Sequence, residues 1–236
     1  MLWLLILLPP LTLLLTLAGG ALYAGREGGS SADISARVQR RFSGLLALAL
    51  SLVGVALLVI MSVYPDIGNA IVWRSSSWRR DIILGVSIGA LFAALYFTLL
   101  SPILTWLQRR IGDYVPPGSV LTTLEGNLPA FFVANVLLAP LVEEVWYRGV
   151  VYGWLEPLGF TPSILLTCLA FGLFHWPGGV WYVLLTGGML GGALQWLRVE
   201  QAGLLAPYLA HLTLNAIEFY VVARRTTRKS QSVTEV

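Results

Sequence analysis

Glu143, Glu144 and Arg148 stand in the run Leu-Val-Glu-Glu-Val-Trp-Tyr-Arg, inside an otherwise apolar stretch. His175 ends the run Ala-Phe171-Gly-Leu-Phe174-His175-Trp176, and His211 precedes Asn215 by four residues in a third apolar stretch. Carboxylates and imidazoles are the side chains that carry protons near neutral pH. Buried among apolar residues they are costly, which makes them functional candidates by default. Successive helical residues point about 100° apart, so Glu143 and Glu144 cannot face the same way. Glu144 and Arg148 share one helical face in the favourable acid-before-base order. Arg148 can therefore neutralise and orient Glu144, while Glu143 is left without a helical partner. Glu218 continues the His211–Asn215 stripe as a packing or gating polar group. Each feature alone also has a plainer reading: a structural ion pair, an interfacial histidine, and a His–Asn clasp between helices.

The elements that must hold these groups follow from composition. The chain has 236 residues, 57% hydrophobic and only 11% charged, under half the charged share of a soluble domain. Met1 to Gly25 and Phe42 to Pro65 contain no ionised residue, and each exceeds the ~20 residues that cross a bilayer core. A water-soluble enzyme and a nucleic-acid-binding domain are thereby excluded. Cys168 is the only cysteine, so no internal disulfide or thiolate metal cluster can form.

The expected architecture is an all-α, polytopic transmembrane bundle of about seven spans, with a polar cavity in its C-terminal half. Backbone groups in hydrocarbon must bond within their own segment, and no alternating barrel pattern is present. The spans run roughly Leu2–Ala24, Phe42–Tyr64, Asp81–Leu107, Asn127–Leu155, Thr161–Trp176, Val180–Leu197 and Leu204–Ala223. Residues 1–124 form N-terminal helices and loops, 125–223 the functional core, and 224–236 a basic, disordered cytoplasmic tail. Arg26–Arg41 reads as a polar linker and Asp66–Trp78 as an interfacial segment. Pro9-Pro10 interrupts the first run, which lacks the basic start of a signal peptide and is read as a retained span. Arg26, Arg37, Arg40, Arg41, Arg109 and Arg110 share a side with Arg224, Arg225, Arg228 and Lys229, opposite Arg74, Arg79, Arg80 and Arg198. That distribution places the C-terminus in the cytoplasm of a plasma-membrane protein.

Depth provides a consistency check. Glu143 and His175 each lie ~20 Å from the turn joining their spans, at ~1.5 Å of rise per residue. They can meet. His211 lies only ~11 Å into its own span, and reaches the same depth only if that span is tilted or starts deeper.

Glu143-Glu144-x-x-x-Arg148, Phe171-x-x-x-His175 and His211-x-x-x-Asn215, in that order, resemble the CPBP family: type II CAAX prenyl endopeptidases, bacteriocin-processing and self-immunity proteins, also called the Abi group. The resemblance covers about Asn127 to Tyr220 and uses both histidines of the chain. It implies an intramembrane endopeptidase in which Glu143 and His175 activate a water. His211 and Asn215 would hold the oxyanion, with Glu144 and Arg148 as the supporting pair. The implied partners are membrane lipid and a membrane-associated protein or peptide, including a lipidated, CAAX-like one. Two chemistries remain open. Glu143, His175 and His211 would make a zinc set with one free position, although no His-Glu-x-x-His helix is present; a glutamate-activated water needs no metal. Two other functions compete: a non-catalytic membrane immunity or adaptor protein that keeps the polar cluster, and a small transporter with a His/Glu proton path.

Overall fold

A computed structural model of the chain describes residues 2–73, 77–117 and 127–234. Arg74 and the boundary at 124–125 lie outside the described residues, as do the side chains of Arg225, Arg228 and Lys229. Eight helices follow in order: α1 (Leu2–Gly25), α2 (Ser31–Val63), α3 (Pro65–Ala70), α4 (Trp78–Arg110), α5 (Leu128–Leu158), α6 (Phe160–Phe174), α7 (Val180–Gln201) and α8 (Leu205–Thr234). No strand occurs among the described residues.

All seven expected runs are helical, with α3 as an addition. Five of them, α1, α2, α4, α5 and α7, are long and apolar enough to cross a membrane. The protein is an integral membrane protein. The expected count of seven is not reached on that measure. Helix α6 has 15 residues, about 22 Å of rise against a hydrocarbon core of about 30 Å. Helix α8, which carries His211, Asn215 and Glu218, is not among the five.

Two expectations about irregular segments are corrected. The polar linker at 26–41 shrinks to a turn, because Ser30 and Asp33 form a capping box that starts α2 at Ser31. The tail is helical rather than disordered, since α8 continues to Thr234 and no Gly or Pro from Arg224 onward stops it. Helix α1 also passes through Pro9 and Pro10 without ending. Pro9 has no N–H to give the Leu5 carbonyl, which would be left orphaned. The indole Nε1 of Trp146, fully buried on α5, donates to that carbonyl at 2.9 Å. The proline that weakens α1 thus creates the acceptor that ties it to α5.

Wide π-helical turns occur at Phe132–Leu138 and Glu144–Val151 of α5, either side of Pro140 and Glu143. Such turns re-aim side chains and are frequent at functional sites. The core gathers Leu50 and Val53 of α2 and Trp146, Val150 and Val151 of α5. Phe171 of α6, Leu194 of α7, and Ala206 and Ala210 of α8 complete it.

Helix α8 is set by close backbone approach. Gly85 and Gly89 of α4 face it, and a Cβ on Gly85 would come within 2.7 Å of the Ala206 carbonyl oxygen. A Cβ on Gly89 would collide with the Ala210 carbonyl and lie 2.8 Å from the Thr213 Cβ. Helices associate in lipid mainly by such packing between small residues. Backbone N–H groups of Leu204 and Leu205 donate to the Val72 and Trp73 carbonyls at 2.9 and 2.8 Å, pinning the start of α8. The segment following α3 is therefore bonded to the bundle, and Ile71 packs against Gly149 of α5.

Gly89→Ala is expected to destabilise the protein in detergent unfolding by about 1–3 kcal/mol, the cost of overpacking a filled site. Gly44, whose Cβ would meet nothing within 4 Å, is the control: Gly44→Ala should stabilise by about 0.5–1 kcal/mol. Equal effects at the two positions would contradict the assigned packing.

Candidate active site

Glu144, with no exposed surface, is held from two sides. Arg148 Nη1 donates to its Oε1 at 3.1 Å, the expected i,i+4 pair. His211 Nδ1 lies 2.8 Å from the same oxygen. A carboxylate only accepts, so Nδ1 carries the proton in this contact. Arg148 is equally buried, and its Nη2 donates to the Gly191 carbonyl of α7 at 3.2 Å. Its guanidinium lies 4.0 Å from the ring centroid of Phe171, a cation–π contact strengthened by desolvation. The same ring lies 4.8 Å from the His175 ring and 5.9 Å from that of His211. Phe171 is thus the apolar spacer around which the charged groups are arranged.

Glu143 points elsewhere, as the 100° separation requires. Its Oε2 lies 3.9 Å from His175 Nε2, too far for a direct hydrogen bond. His175 Nδ1 is 2.9 Å from the Phe171 carbonyl. That acceptor places the proton on Nδ1, and the neutral ring then turns an Nε2 lone pair toward Glu143. Asn215 Nδ2 donates to the Asn135 carbonyl at 2.7 Å, which leaves its second N–H available.

Glu143, His175, His211 and Asn215 all line one cavity of about 110 Å³, together with Asn135, Tyr96, Tyr182 and Glu218. A water needs roughly 10–15 Å³ of such space and two or more polar partners. Tyr96 and Tyr182 had no distinguishing signal in the sequence, where they read as ordinary aromatic residues of apolar helices. Asn135 did have one, as the sole polar side chain from Leu128 to Leu141.

The depth problem of His211 has a physical resolution. Helix α8 does not start level with Glu156. A Cβ on Gly149 would be 3.8 Å from the Leu204 side chain, so α8 begins beside Gly149. Six residues then separate that level from Glu143 and seven separate Leu204 from His211, about 9 and 10.5 Å of rise.

Glu143, His175 and His211, the residues suggested for zinc, line the same cavity, with His211 turning Nδ1 to Glu144. Among the described residues no three His, Cys, Asp or Glu side chains are placed to hold a metal ion.

Residues 125–217 match the family model described as type II CAAX prenyl endopeptidase Rce1-like. These residues are similar to an Rce1-like domain. The match spans α5, α6, α7 and α8 as far as Ile217, so it contains every residue of the Glu143–His175–His211–Asn215 set, and it agrees with the resemblance drawn from the motifs. No curated protein and no solved structure matches the chain.

The loop beyond α4 braces the His175 side of the matched region. Asp113 accepts from the backbone N–H groups of Val180 at 3.0 Å and Trp181 at 3.5 Å, at the N-terminus of α7. The Trp181 indole donates to the Gly112 carbonyl, and the Tyr114 hydroxyl donates to that of Trp176, next to His175. Partial burial raises the carboxyl pKa of Asp113, but the N–H groups of Val180, Tyr114 and Trp181 outweigh it and hold the group below its ordinary value of 3.8. A depressed carboxyl contributes stability that is full above the unfolded pKa and is lost as the pH falls through the folded one. The stability gap between wild type and Asp113→Asn should therefore be widest well above 3.8 and close in acid. A gap independent of pH would contradict the capping role.

Arg148→Met strands a buried carboxylate and should cost about 3–5 kcal/mol of unfolding free energy. The double variant Glu144→Gln/Arg148→Met removes both charges and should recover much of that loss. A single variant as stable as wild type in detergent unfolding would show that the pair does not carry this load.

Proposed function

We propose that the protein is an intramembrane endopeptidase that hydrolyses a peptide bond of a membrane-associated substrate, with a lipidated, CAAX-like C-terminus as the substrate type the family points to. The observation that carries this reading is the 3.9 Å separation of Glu143 Oε2 and His175 Nε2 on the wall of the cavity. One water can touch both atoms at once. Each would accept one of its hydrogens, so the oxygen lone pairs would face the substrate carbonyl. Glu143 takes the proton as the oxygen attacks, and the same carboxyl returns it to the departing amine nitrogen.

The tetrahedral oxyanion needs preorganised donors. The free N–H of Asn215 supplies one. His211 supplies another from Nε2, with Nδ1 still donating to Glu144; the ring then carries both protons, and the Glu144 carboxylate is its counter-ion. Glu144 and Arg148 act by positioning His211 rather than by touching the substrate. On this reading α6 and α8 complete a seven-span bundle in the plasma membrane, with the C-terminus on the cytoplasmic side, an orientation the arginine distribution supports.

In detergent micelles or proteoliposomes, Glu143→Gln and His175→Ala should each lower peptide hydrolysis by at least about 10²-fold, the contribution typical of a positioned acid or base. Both should still fold and insert. Hydrolysis that survives Glu143→Gln would overturn the assignment. A cellular phenotype that survives it would favour a non-catalytic membrane adaptor.

A further inference from the structure

The cavity wall contains two carboxylates, Glu143 and Glu218, and no Lys or Arg. The proposed chemistry uses Glu143. Glu218 lies one residue beyond the family match and takes no part in activating the water or holding the oxyanion. Among the described residues no Arg or Lys forms an ion pair with it; Arg148, the buried cation of the core, is committed to Glu144. Glu143 is only 4% exposed and its Oε2 has no hydrogen-bond partner. Beyond the Asn215 and His211 donors, the cavity therefore offers two carboxylates to whatever enters it.

We infer that Glu218 selects substrates by accepting a basic side chain two or three residues from the scissile bond. Position and chemistry both argue for this. Glu218 follows Asn215 by three residues and His211 by seven, about 4.5 and 10.5 Å further along α8. An extended peptide advances about 3.3 Å per residue. A substrate whose carbonyl oxygen sits between Asn215 and His211 thus brings its second or third neighbouring residue level with Glu218. A lysine or arginine there would meet the carboxylate, and the Tyr96 and Tyr182 rings lining the same cavity offer faces to its cation. An apolar side chain at that position would cover the half-buried Glu218 without pairing it, and an acidic one would add like charge. Discrimination of this kind rests on the penalty for the wrong substrate as much as on contact with the right one.

This inference builds on the peptidase reading, and the test separates the two. Two N-myristoylated octapeptides, alanine throughout except for one central lysine or norleucine, are presented in detergent. Binding is measured to Glu143→Gln, which does not turn over, and to Glu143→Gln/Glu218→Gln. Cleavage by wild type is mapped by mass spectrometry. The lysine peptide should bind Glu143→Gln about tenfold tighter or more, as a desolvated charge pair does. The preference should vanish in the double variant, and the wild-type cut should fall two or three residues from the lysine. Equal binding of the two peptides, or a lysine preference that survives Glu218→Gln, would overturn the inference. A wild type that cuts without regard to lysine would overturn it while leaving the peptidase reading intact. A Glu218-dependent binding preference with no cleavage would uphold Glu218 as the acceptor of a basic side chain and overturn the peptidase reading instead.

Discussion

A charge can stay inside a helical bundle only if something on a neighbouring helix answers it, and in this protein that demand is concentrated on Glu144. Its Oε1 is bonded by Arg148 one turn away and by His211 from a helix 67 residues on. Arg148 in turn reaches the Gly191 carbonyl, and Arg198 Nε donates to the Arg148 carbonyl at 3.3 Å. Helices α5, α7 and α8 are therefore joined by one buried network, while Phe171 brings α6 against the same guanidinium. If Glu144 were neutral and apolar, the bundle could still pack, but His211 would lose the partner that sets its direction, and α8 one of the bonds that set its rotation.

That rotation determines what the cavity can do. The close contact of Gly85 and Gly89 with α8 sets its distance from α4, and the bonds from Leu204 and Leu205 set its starting height. Together they bring His211 to the level of Glu144 and carry Asn215 and Glu218 to the cavity. Glu143 then faces away from the ion pair and toward His175. Adjacent glutamates thus play different parts because helical geometry sends them to different neighbours, one into a closed electrostatic knot and the other to a wall that a water can reach.

Much of this was legible in the amino-acid sequence. Apolar length alone marked out the helical runs, and four-residue spacing paired Glu144 with Arg148. The motifs located the domain that the family model matches. Other features could not be read because they are set by contacts between helices. The start of α8 beside Gly149, the choice of Glu144 rather than Glu143 by His211, and the backbone partner of Asn215 depend on how α4, α5 and α8 pack. Local rules were also overridden by tertiary structure. Pro9 reads as an interruption, yet α1 continues because Trp146 takes over its freed carbonyl. Conversely, the Ser30–Asp33 cap was readable in the sequence and extends α2 through the segment expected to be a linker.

The proposed hydrolysis turns on one water shared by Glu143 and His175. A cryo-electron microscopy map of the protein in lipid nanodiscs, at a resolution that shows ordered solvent, tests this most directly. It should reveal density within about 2.7–3.2 Å of both Glu143 Oε2 and His175 Nε2, with His211 still bonded to Glu144. A dry cavity, or a direct Glu143–His175 hydrogen bond with no water between them, would contradict it.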